Sequence, residues 1–96
     1  MSVVIGAEAV DEKGPLKGET TSFVYRVVVG LYTEIDGECV YWSRSDTFCV
    51  PAWNHIIILV MTKFIYSDRP LLEKLGMFNR EEISKQVNGT SCNEPS

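Results

Sequence analysis

Residues 21–45 read TSFVYRVVVGLYTEIDGECVYWSRS, and the alternation within this stretch decides the fold. Phe23, Tyr25, Val27, Val29 and Leu31 fall on one side of a two-residue repeat, with Val24, Arg26, Val28, Gly30 and Tyr32 on the other. Both sides are largely apolar near the middle, so the spacing predicts a strand over residues 21–34 that lies centrally in its sheet. Asp36-Gly37 follows and supplies the positive φ angles of a two-residue type I′ hairpin turn. With that loop length Ile35 faces Glu38, which places Thr33 opposite Val40, Tyr32 opposite Tyr41 and Leu31 opposite Trp42. Trp42 then belongs to the core and Tyr41 to the other face, whereas a three-residue loop would exchange the two. The returning strand is read over residues 38–45.

Working outward, residues 3–10 are β-branched at their start and read as a first strand. Asp11-Glu12-Lys13-Gly14-Pro15 opens a polar, breaker-rich stretch read as a loop to residue 20. After Pro51 the repeat changes. At 100° per residue Trp53, Ile56, Ile57, Val60, Met61 and Phe64 share one broad arc, with His55, Thr62 and Tyr66 opposite, and Pro is tolerated in a first helical turn. Residues 52–66 are read as a helix; the competing reading is a buried strand through Ile56-Ile57-Ile58. A helical arc here also takes in Ile58 and Ile65, wider than one sheet covers, so further elements are needed. Asp68 is placed as the N-cap of a short helix bearing Leu71, Leu72 and Leu75, with Gly76 as its C′ residue. Asn79 and Glu82 form a capping-box-like pair before Ile83 and Val87.

The expected architecture is α+β: a three-stranded antiparallel sheet (β-β-β), one long packing helix and a short C-terminal helical pair. Residues 1–88 are read as a single domain and 89–96 as a flexible tail.

Composition narrows the functional classes. The 96 residues are 45% hydrophobic and 23% charged, enough for one two-layer core and too apolar for disorder. The net charge is −4, the wrong sign for a domain that lives on phosphate contacts. The acidic surplus lies in the first half, where Glu8, Asp11, Glu12, Glu19, Glu34, Asp36, Glu38 and Asp46 outnumber Lys13, Lys17, Arg26 and Arg44. The first ten residues lack the pattern of a signal peptide, and the apolar run at residues 56–61 is far short of a membrane span. A cytoplasmic protein with reduced thiols is therefore expected.

Chemistry-bearing residues are sparse. Cys49 and His55 are the one nucleophile and base close in sequence, but no third group orients the imidazole. Cys39, Cys49, His55 and Cys92 lack the short hooks of a zinc site, and Asn88-Gly89-Thr90 matches a glycosylation sequon without the secretion that would use it. No catalytic residue, metal or cofactor is assigned. Residues 71–87 resemble a DNA-binding helix-turn-helix in the spacing of Leu72 and Gly76. Ile83, however, lies one position late, and Glu81-Glu82 open the second helix with charges that phosphates would repel.

The remaining feature is the second face of the hairpin. Val24, Val28, Tyr32 and Tyr41, beside Arg26, Glu34 and Cys39, make an aromatic and β-branched surface of the kind enriched at interfaces. Two arrangements fit: the face is exposed, or the C-terminal helices cover it in a third layer. The expectation is a non-enzymatic interaction module acting through Val24, Arg26, Val28, Tyr32, Glu34 and Tyr41. Its partner is a protein, either a second copy in a homodimer or a basic, nucleic-acid-binding target that it inhibits. The alternatives are a nucleic-acid-associated regulator using residues 71–87 and a thiol enzyme or redox sensor at Cys49.

Overall fold

The alternation in the hairpin stretch is realised along its full length. The structure, a computed structural model, describes residues 1–14, 18 and 20–88. Strands β1 (Ser2–Lys13), β2 (Ser22–Ile35) and β3 (Glu38–Val50) form an antiparallel sheet in the order β1-β2-β3. Asp36 and Gly37 adopt φ of 51° and 80°, and the register runs Ile35↔Glu38, Thr33↔Val40, Tyr32↔Tyr41 and Leu31↔Trp42. This is the two-residue-loop register, and it sends Trp42 into the core and leaves Tyr41 exposed.

Two strand boundaries differ from the sequence reading by more than one residue. β3 continues past Ser45 to Val50, because Phe48 and Val50 keep the inward phase of Trp42 and are buried with it. The polar run Arg44 to Thr47 hides that continuity from a reading by hydropathy. β1 extends through Lys13, into the stretch read as loop. A register shift between Ala9 and Asp11 absorbs one residue, so that Asp11, Glu12 and Lys13 still pair with Val24, Phe23 and Ser22. The remainder of the expected loop at residues 15–17 and 19, and the expected tail at 89–96, lie outside the described residues.

After β3 come α1 (Trp53–Val60), a π-helical segment (Met61–Tyr66) continuous with it, α2 (Arg69–Lys74) and α3 (Arg80–Asn88). Residues 52–66 are thus helical from Trp53 on. Tyr25, Val27, Val29 and Leu31 of β2 are fully buried beneath Ile56 and Val60 of α1, Phe64 and Ile65 of the π segment, Leu72 of α2, and Ile83 and Val87 of α3. Trp53 meets the Tyr25 ring edge-on at 5.8 Å, and Phe64 meets Phe48 at 5.7 Å. The looser π turn brings the consecutive residues Phe64 and Ile65 both to the core side. Ile58 falls off the buried arc and is 66% exposed.

The short helices close the core, and one cap differs from expectation. Asp68 makes no side-chain bond to the start of α2. Its Oδ2 instead accepts a bond from Trp42 Nε1 at 2.7 Å and pairs with Arg44 at 2.7 Å, because the helix start lies directly over the inner face of β3. Leu71, expected on the apolar stripe of α2, is exposed, whereas Leu72 is buried. Gly76 takes φ 70°, its N–H donates to the Glu73 carbonyl at 3.1 Å, and the Met77 N–H donates to the Leu72 carbonyl at 2.8 Å. This is the Schellman closure, fastened by the buried Leu72 and Met77 side chains. Asn79 Oδ1 caps α3, accepting the Glu82 N–H at 3.2 Å.

Val50 points inward, so the turn at Pro51-Ala52 delivers α1 to the inner face. The short connections at residues 67–68 and 75–79 keep the later helices there. Among the described residues the layers are therefore two, and the opposite face of the sheet carries no helix.

Candidate interaction face

Side chains of a strand alternate between faces, so the buried set of β2 and β3 defines the open set. Val24, Arg26, Val28, Gly30, Tyr32 and Glu34 of β2 look away from the helices, with Cys39, Tyr41, Ser43, Ser45, Thr47 and Cys49 of β3. All six residues expected at the interface stand on this one face. Val24 is half-buried, and Arg26, Val28, Tyr32, Glu34 and Tyr41 are exposed.

The register with β1 adds residues that hairpin reasoning missed. Ser2↔Tyr32, Val4↔Gly30, Gly6↔Val28 and Glu8↔Arg26 place Val4 and Glu8 on the same surface. Val4 is 55% exposed, Val28 45%, Tyr32 37% and Tyr41 59%, and these four form the apolar centre of the face. No sequence signal could have added Val4, because β1 and β2 are joined by a long connection that leaves their register unspecified, unlike the tight hairpin.

Gly30 is the seat of the cluster. The Tyr41 side chain lies across it, so a Cβ added there would stand 2.5 Å from the hydroxyl oxygen and about 3 Å from the ring. Tyr41 in turn meets Tyr32 at 6.5 Å between ring centroids, inclined at 47°. Glycine here permits an aromatic ring to lie flat on the sheet, which fixes one side of the patch without burying it. Around this centre the face is polar. Arg26 and Glu8 pair at 3.7 Å with both side chains largely exposed, while Ser43, Ser45 and Thr47 line the β3 side. A shallow recess lined by Met1, Ser2, Tyr32, Thr33, Glu34 and Cys39 marks the hairpin end of the patch. At the far end Asp11 is held below its ordinary carboxylate range by the hydrogen bond from Lys13, then by the Glu12 N–H and the Lys13 charge.

The other chemistry-bearing residues are not brought together. Cys49 stands exposed on the open face and His55 on the outer side of α1, so the sheet separates them. Cys39 lies at the hairpin end of the open face, and Cys92 is outside the described residues. Among the described residues no group of three or more His, Cys, Asp or Glu side chains is placed to hold a metal ion, and no helix is long and apolar enough to cross a membrane. In the segment that resembles a helix-turn-helix, α3 turns Ile83 and Val87 into the core against β1 and exposes Arg80, Glu81 and Lys85.

No family model, curated protein or solved structure matches the chain.

Proposed function

We propose that this chain is a non-enzymatic protein-interaction module whose contact surface is the open face of the sheet. The observation that carries the reading is the contiguous exposure of Val4, Val28, Tyr32 and Tyr41 on a face that no helix covers among the described residues. Aromatic side chains with few rotatable bonds, held in place before contact, lose little entropy on binding, and Tyr41 seated over Gly30 is such a side chain. The polar surround, Glu8 with Arg26 and Glu34, matches the rim of a protein interface. The net charge of −4 favours a partner with basic residues flanking an apolar patch, and occupation of that patch would inhibit a nucleic-acid-binding target by taking the place of phosphates.

Tyr41→Ala and Val28→Glu test the reading in the intact chain. Both positions are exposed, so the fold should survive, as circular dichroism and thermal unfolding would verify. Affinity capture with the unsubstituted chain should retain a stoichiometric protein partner that both variants lose, and the retention should weaken with added salt. Equal retention by all three chains, or none by any of them together with no binding of an apolar dye, overturns the proposal.

A further inference from the structure

The two outer edges of the sheet are unequal. β3 carries the charged side chains Arg44 and Asp46 among its inner-face positions, a device that discourages another strand from adding alongside. β1 has no such guard from Ser2 to Ala9: its inner-face residues Val3, Ile5, Ala7 and Ala9 are apolar and only half-buried, and the register shift comes after them.

The direction of the backbone groups follows from the hairpin. Ile35↔Glu38 closes a two-residue turn and is a hydrogen-bonded pair, so alternate residues of β2 bond to β3 and the intervening ones bond to β1. Tyr32, Gly30, Val28 and Arg26 therefore bond to Ser2, Val4, Gly6 and Glu8. The N–H and C=O groups of Val3, Ile5, Ala7 and Ala9 point away from the sheet. Among the described residues no strand lies beyond them.

We propose that β1 pairs antiparallel with β1 of a second copy of this chain, about a two-fold axis through Gly6, to make a continuous six-stranded sheet. The size pattern selects this occupant. Along the inner face β1 runs Val3, Ile5, Ala7, Ala9, large then small, so an antiparallel copy sets Val3 against the partner's Ala9 and Ile5 against the partner's Ala7. Large opposes small at every step, and outward-pointing backbone meets outward-pointing backbone, which yields about eight interchain hydrogen bonds. Gly6 faces the partner's Gly6, where neither contributes a side chain. Charge is accommodated as well. Glu8 lies opposite the partner's Val4, so the two Glu8 carboxylates stand roughly 13 Å apart along the strands, beyond a Debye length of about 10 Å in moderate salt. α3, which packs against β1, carries Arg80 and Lys85 together with Glu81 and Glu82, so its own charges sum to zero. The pairing uses the edge of the sheet and not its open face, so it stands or falls separately from the proposed partner surface.

Sedimentation and site-directed cross-linking test it. The unsubstituted chain at micromolar concentration should sediment at twice its 10.8 kDa mass. Ala7→Pro removes an outward-pointing N–H without touching the β1–β2 ladder, and should give a folded monomer with an unchanged circular dichroism spectrum. Val28→Glu, on the open face, should remain dimeric. In a background with Cys39, Cys49 and Cys92 replaced by serine, Gly6→Cys should form a reducible covalent dimer under mild oxidation. An added Cβ at Gly6 meets nothing within 4 Å, and the directly opposed, non-hydrogen-bonded pair has the separation a disulfide needs. Val4→Cys in the same background should not. A monomer at all concentrations, a dimer that survives Ala7→Pro but is lost in Val28→Glu, or cross-linking at Val4→Cys in preference to Gly6→Cys overturns the proposal.

Discussion

Oδ2 of Asp68 accepts the indole N–H of the buried Trp42 and the guanidinium of Arg44, which also lies 5.5 Å from the Trp42 ring centre. One carboxylate thereby ties the start of α2 to the inner face of β3. Its place ahead of Arg69-Pro70 made it legible as a helix cap, but its partner lies 26 residues away in sequence, and local spacing carries no information about that contact. Asp68→Ala leaves the Trp42 donor buried without an acceptor and should cost about 1–3 kcal/mol in urea unfolding. Asp68→Asn keeps an acceptor and forfeits only a solvent-screened ion pair, so it should cost less than about 1 kcal/mol. Equal losses in the two variants would show that the charge, and not the hydrogen bond, holds the joint. Asp11 gives the pH dependence at this scale. Its carboxyl is held below the ordinary value of 3.8 in the folded chain, so its contribution to stability is present above that value and disappears as pH falls through the lower folded one. Lys13→Ala removes the first cause of that depression. It should raise the Asp11 carboxyl titration seen by NMR toward the ordinary value, and an unmoved titration would place the cause elsewhere.

At the scale of elements, legibility followed locality. The β2–β3 hairpin was readable to the residue because a two-residue turn rigidly couples the phases of two strands, and Leu31 opposite Trp42 follows from Asp36-Gly37 alone. The end of β3 was not, since Arg44 and Asp46 occupy inward positions that a hydropathy pattern assigns to solvent. Helix against strand was ambiguous through Ile56-Ile57-Ile58, and tertiary contact decides it: Ile56 is fully buried, Ile57 half-buried and Ile58 mostly exposed. A strand would have set Ile56 and Ile58 on the same side. The two substitutions separate the readings in solution. Ile56→Ala should cost about 2–5 kcal/mol, whereas Ile58→Glu should stay within about 0.5 kcal/mol of the unsubstituted chain in denaturant unfolding. Comparable losses at both positions would contradict a helix over Trp53–Val60.

At the scale of the molecule, the number of layers is what the sequence left open, and it governs what the hairpin face is for. An exposed face and a face covered by the C-terminal helices were equally compatible with the apolar pattern, because Val24, Val28 and Tyr32 alternate as regularly as the core residues beside them. The side taken by α1 at Pro51 decides between them, and α2 and α3 follow it. The result is elongated, 55 × 23 × 19 Å, with a radius of gyration of 15.0 Å where a compact chain of this length has about 12 Å. Among the described residues the core is served from one side of the sheet, so apolar residues on the other side add little to stability. Val4→Thr combined with Val28→Thr keeps strand-forming, β-branched side chains while replacing a methyl by a hydroxyl at the centre of the open face. In two layers this double substitution should change stability by no more than about 1 kcal/mol and move Tm by less than about 8 °C, because both hydroxyls stay in water. In three layers the same hydroxyls would be buried without partners, and each would cost about 1–3 kcal/mol. Thermal and urea unfolding distinguish the two, and the same variant links stability to function. A chain that unfolds as before yet loses its protein partner would separate what the open face does for the fold from what it does for binding.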